Sequence, residues 1–97
     1  MNRRIYITAV IKVKPGYRDK VLETLKNMVQ NTRKEQDCIQ YDLHEDMEDE
    51  NVFVFYEIWK HMDGLLHHNL QPYINEFHKM VVKGYVTETK IYKTKKV

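Results

Sequence analysis

Residues 52–60, which read Val-Phe-Val-Phe-Tyr-Glu-Ile-Trp-Lys, constrain the fold more than any other stretch, because as a strand they are apolar on both faces. Phe53, Phe55 and Trp59 point one way with Glu57 among them, and Val52, Val54, Tyr56 and Ile58 point the other. A strand of this kind must be covered on both sides.

The remainder switches between two periods. Residues 3–14 set Ile5, Ile7, Ala9, Ile11 and Val13 against Tyr6, Thr8 and Val10, a β-branched alternation that Lys14-Pro15-Gly16 ends. From Tyr17 onward Val21, Leu22, Leu25, Met28, Val29 and Thr32 recur at helical spacing, which predicts an amphipathic helix ending near Glu35. Residues 38–45 alternate again, Ile39, Tyr41 and Leu43 against Gln40, Asp42 and His44, and the acidic segment through Asn51 makes the hairpin turn into 52–60. A short helix over 63–70 is interrupted at Pro72, where a second helix begins and runs to Gly84 with Ile74, Phe77, His78 and Val81 on its inner face. Residues 85–92 close the chain as a strand.

The order β-α-β-β-α-β is the ferredoxin-like plan, an α+β fold with one antiparallel sheet and its helices on one face. With 97 residues it forms a single domain, 1–97. The helices cover only one side of the doubly apolar strand. A homodimer with sheets packed face to face is therefore expected to cover the other.

Composition narrows the function. Only 3 Gly and 2 Pro beside 11% aromatic residues exclude a disordered chain. The longest apolar run is far too short for a membrane span, and Met1-Asn2-Arg3-Arg4 leads into no signal-peptide core, so a cytoplasmic protein with no membrane partner is expected. Sixteen basic and 14 acidic residues are mixed except for the acidic 45–50 and the lysines of 90–96, which predicts no nucleic-acid partner. Cys38 is the only cysteine, so it forms no internal disulfide or thiolate zinc site, and beside Asp37 it lacks the electropositive setting of a reactive thiolate. Serine is absent, and no phosphate-binding glycine loop is present.

Two features carry chemistry. Glu57 is a lone carboxylate among aromatic rings, which must be hydrogen-bonded or have a raised pKa, and so is either a general acid or base or a structural group. Trp59 brings an indole N–H that needs a partner when buried. Five histidines include four between His61 and His78, but none at metal-ligand spacing, so no metal is expected. His67 points about 100° away from His68 on a helix and is expected to be exposed. His78, next to Phe77, is a pocket residue or a core histidine.

Thr32-Arg33-x-Glu35, Cys38-x-x-Tyr41-Asp42-Leu43-His44, Phe53-Val54-Phe55-Tyr56-Glu57-x-Trp59 and His68 nine residues later together resemble the antibiotic biosynthesis monooxygenase family, as does the Lys14-Pro15-Gly16 turn. The resemblance implies a dimeric α/β barrel. It also implies a cofactor-independent monooxygenase that oxidises a quinol-like or polycyclic aromatic substrate with O₂. His68 would be the base, Trp59 and Glu57 would orient it or the substrate, and Tyr41, Phe55, Tyr73 and His78 would line the pocket. Other members isomerise a small phosphorylated metabolite, and a non-enzymatic dimeric binding module is a third reading. Haem-degrading members use Asn, Trp and His at positions that here hold Ala9, His68 and His78, which argues against haem cleavage. Tyr73 stands where many members have a second histidine.

Overall fold

The computed structural model describes residues 3–97 and runs β1 (Ile5–Val13), α1 (Arg18–Thr32), β2 (Cys38–Glu45), β3 (Val52–Trp59), α2 (Met62–His68), α3 (Pro72–Val82) and β4 (Val86–Thr94). Met1 and Asn2, part of the leader reading, lie outside the described residues. The four strands form one antiparallel sheet in the order β2-β3-β1-β4, the ferredoxin-like arrangement, with the second helical region split in two. No helix of the described residues is long and apolar enough to cross a membrane.

The alternation of β1 and β3 sorts as the sequence requires. Ile7, Ala9, Ile11 and Val13 are buried with Phe53, Phe55 and Trp59 beneath the helices, where α1 adds Val21, Leu25 and Met28. On the opposite face Val10, Val52, Val54 and Ile58 are half-buried and Tyr56 is exposed.

Three details differ from the sequence reading. Ile39 is exposed rather than inward, because the β2–β3 register shifts between Cys38 and Gln40 and leaves Ile39 as the extra residue of a bulge. Val81 and His78 are also exposed. On α3 the core stripe runs through Ile74 and Phe77 to half-buried Met80, so Val81, 40% exposed, falls on its flank. Finally, α1 ends at Thr32, and successive turns from Thr32 to Glu35 and from Glu35 to Cys38 replace its expected last turn. That early stop frees Glu35 from the helix.

Between α2 and α3 the break follows from Pro72, which takes the first helical position of α3, where a missing N–H costs nothing. His61 caps α2 by accepting the Gly64 N–H at Nδ1, 3.3 Å away. Gly64 itself lies against the loop before β2: a Cβ there would sit 2.4 Å from the Asp37 Cβ. Asp37 is in turn fixed by its carbonyl, which accepts the Lys60 N–H at 3.0 Å. Gly64→Ala should therefore force α2 off the sheet edge and destabilise the protein by about 1–3 kcal/mol, read from the urea midpoint. An unchanged midpoint would contradict this packing.

Candidate active site

Beneath the helices the inner face of the sheet forms the floor of a cavity of about 260 Å³. Its walls are mostly apolar, with Ile7, Phe55, Leu65, Ile74, Phe77 and Ile91 contributing, and its polar groups include Tyr41, Glu57, His68, His78 and Lys93. Strand parity explains the floor. Tyr41, Glu57 and Ile7 are paired in register across β2, β3 and β1, and Lys93 of β4 pairs with Ile7 on the far side, so the four form one row.

Glu57 is buried, 6% exposed, and its Oε1 accepts the Trp59 indole N–H at 2.9 Å. Period two puts both residues on one face, and the bond satisfies the Trp59 donor as well as part of the carboxylate. Burial pushes the Glu57 carboxyl up to about 7; the indole bond opposes that rise and the charge of Glu35 adds to it.

His68, 4% exposed, is the last residue of α2 and enters the cavity from above. Its ring packs against Trp59, centroids 4.5 Å apart, and meets Tyr41 edge-on at 5.5 Å. Its Nδ1 lies 2.7 Å from Glu35 Oε2, and that same oxygen accepts the Tyr73 hydroxyl at 2.5 Å. A carboxylate oxygen can only accept, so Nδ1 carries the proton and Nε2 is left with its lone pair. Burial lowers the His68 pKa even against the opposing pull of Glu35, which keeps the ring neutral at pH 7.

The geometry therefore gathers His68, Glu57, Tyr41, Phe55 and His78 around one cavity. His78 reaches it from the exposed side of α3, at the mouth. Trp59, fully buried, lies behind the wall and touches His68 and Glu57 rather than the cavity. Tyr73 also stands outside the lining, with its hydroxyl turned to Glu35, and both burial and that bond raise its pKa so that it remains a donor. Burial likewise keeps the Tyr41 phenol protonated. His67 is exposed, with its side chain 70% accessible. Cys38, its thiol pushed up to about 11 chiefly by burial, is no nucleophile at neutral pH. Among the described residues no three His, Cys, Asp or Glu side chains are grouped to hold a metal ion.

Glu35 is the residue that the sequence reading did not place in the site. Its signal was present: Val21, Leu25, Met28, Thr32 and Glu35 follow one another at intervals of four and three, so a carboxylate continues the buried stripe of α1.

Comparison with known proteins agrees with this architecture. The profile described as antibiotic biosynthesis monooxygenase matches residues 4–80. An uncharacterised protein of Synechocystis is 33% identical over 73 residues, 75% of this chain, and this chain spans 50% of that relative's length. The candidate monooxygenase YcnE of Bacillus subtilis is 39% identical over 80 residues, 82% of this chain and 81% of its own. Among solved structures, PA3566 from Pseudomonas aeruginosa superposes with a TM-score of 0.92 at 26% identity over 100% of this chain and 97% of that one. A structure described as an antibiotic biosynthesis monooxygenase gives 0.87 at 26% identity over 96% and 98%.

The Glu57 pKa carries a stability prediction. Because its folded value lies above the ordinary 4.5, the folded state holds the extra proton between the two values. The stability contributed is full below about pH 4 and is lost as pH rises through 7, on the order of 3 kcal/mol in all. Glu57→Gln keeps an acceptor for Trp59 but cannot ionise. Relative to wild type its urea midpoint should rise between pH 5 and pH 8; a difference independent of pH would contradict the burial of an ionisable Glu57.

Proposed function

Because the chain belongs to the antibiotic biosynthesis monooxygenase family, we propose that it oxidises a small quinol-like aromatic substrate with O₂, needing neither a metal nor an organic cofactor. One observation supports this reading above others: a neutral histidine, its Nδ1 fixed by Glu35 at 2.7 Å, lines a largely apolar cavity. Nε2 is then a base for a weakly acidic phenolic O–H, and the apolar walls keep water away from the anion that forms. A cavity of about 260 Å³ is at or below the smallest sites that hold drug-sized ligands, roughly 300 Å³, which favours one or two rings over a polycycle.

In this mechanism Nε2 of His68 takes the phenolic proton. The resulting electron-rich anion reduces O₂ and forms a C–O bond at a ring carbon. The peroxide then recovers the proton from His68, and loss of the remaining C–H proton expels hydroxide, the two leaving as one water. For a ring CH₂ tautomeric with the phenol, the sum is CH₂ + O₂ → C=O + H₂O, so no external reductant is required. Glu57, its carboxyl pushed up to about 7, can donate from its protonated form to a substrate oxygen, and Trp59 holds its carboxyl in place.

The same reading includes a homodimer. The outer face of the sheet presents Val10, Val54, Tyr56 and Ile58 with no helix above it. Covering even a few such side chains is worth several kcal/mol at about 25 cal/mol per Å² of apolar area, and a second copy presents the complementary surface.

Two experiments test these proposals. Oxygen uptake by metal-stripped protein with a panel of reduced quinols, corrected for autoxidation, should fall roughly 10²- to 10⁴-fold in His68→Ala; an unchanged rate rejects His68 as base. Sedimentation velocity at micromolar concentration should show a species of twice the chain mass that Val54→Lys converts to monomer, whereas a monomeric wild type rejects the dimer.

A further inference from the structure

The cavity is polar at two separated ends. At the inner end stand His68, Glu57 and Tyr41; at the mouth stand Lys93 on β4 and His78 on α3, both exposed side chains that still line the space. Between them the floor row holds only Ile7, and Ala9 and Ile91 flank it on the next row. Since Lys93 lies two strands from Glu57 in that row, their backbones are about 10 Å apart. That spacing suits an aromatic ring with a substituent at each end.

Lys93 is the one lysine or arginine that lines the cavity. Two nearby lysines are otherwise engaged: Lys90 lies over the Tyr92 ring and Lys96 over that of Tyr6. Among the described residues Lys93 has neither a carboxylate within salt-bridge distance nor a ring beneath its ammonium group. His78 likewise has no hydrogen-bonded partner among them. Because both groups remain hydrated at the mouth, an anion can bind there without the cost of deep desolvation. The opposite orientation is disfavoured, since it would bring the anion against Glu57 and Glu35.

Resting on the oxygenase reading of this cavity, we propose that the substrate is a hydroxylated aromatic acid, its phenolic end at His68 and Glu57 and its carboxylate at Lys93 and His78. Lys93 is then the residue that sets specificity, and it takes no part in the chemistry.

Calorimetric titration of the full chain with 2,5-dihydroxybenzoate, hydroquinone and inorganic phosphate, on wild type and Lys93→Met, separates the outcomes. The dihydroxybenzoate should bind wild type about 10-fold or more tightly than hydroquinone, and Lys93→Met should remove that preference while leaving hydroquinone affinity unchanged. Equal affinities, a preference that survives in Lys93→Met, no binding of either aromatic, or phosphate binding that displaces the acid would each overturn the proposal. Oxygen uptake is recorded separately on the same ligands. Binding of the acid without uptake would leave this site standing and reject the oxygenase reading instead.

Discussion

The carboxylate of Glu35 joins three elements that the chain places far apart in sequence. It stands in the connection from α1 to β2, and its Oε2 accepts His68 of α2 and Tyr73 of α3. Both α2 and α3 are short, and this shared acceptor ties them to each other and to the connection before β2, beside the packing of Leu65, Ile74 and Phe77. The early stop of α1 at Thr32 is what makes it available.

A second carboxylate, Glu57, is held by a different rule. It projects from the middle of a sheet among aromatic rings, with one protein hydrogen bond, and burial dominates its titration. Glu35, by contrast, meets two donors on a single oxygen. The two carboxylates therefore differ in kind: Glu35 sets the orientation and tautomer of the His68 ring, and Glu57 is a buried carboxyl pushed up to about 7.

Most of the fold was legible because strand and helix periods are unambiguous where burial is complete. The doubly apolar 52–60 segment forms an inner strand, and Pro72 opens α3 as its missing N–H requires. What pattern reading missed were local backbone events. A bulge turned Ile39 outward, and three residues of turn replaced the end of α1. The same applies to the site: Glu57, Trp59 and His68 stood out as polar or rare residues on buried faces, whereas Glu35 acquires its role from a turn. Tyr73 was expected to face the cavity and instead supports Glu35. Lys93 was indistinct within a lysine-rich tail until strand register placed it beside Ile7.

The proposed chemistry depends on His68 being a neutral imidazole with the proton on Nδ1 and a free Nε2. Two-dimensional proton–nitrogen NMR on histidine-labelled protein at pH 7 reads this directly. A pyrrole-type shift at Nδ1 and a pyridine-type shift at Nε2, the Nδ1 preference being lost in Glu35→Gln, is the predicted result. A His68 ring protonated at both nitrogens, or carrying its proton on Nε2, would contradict the central claim.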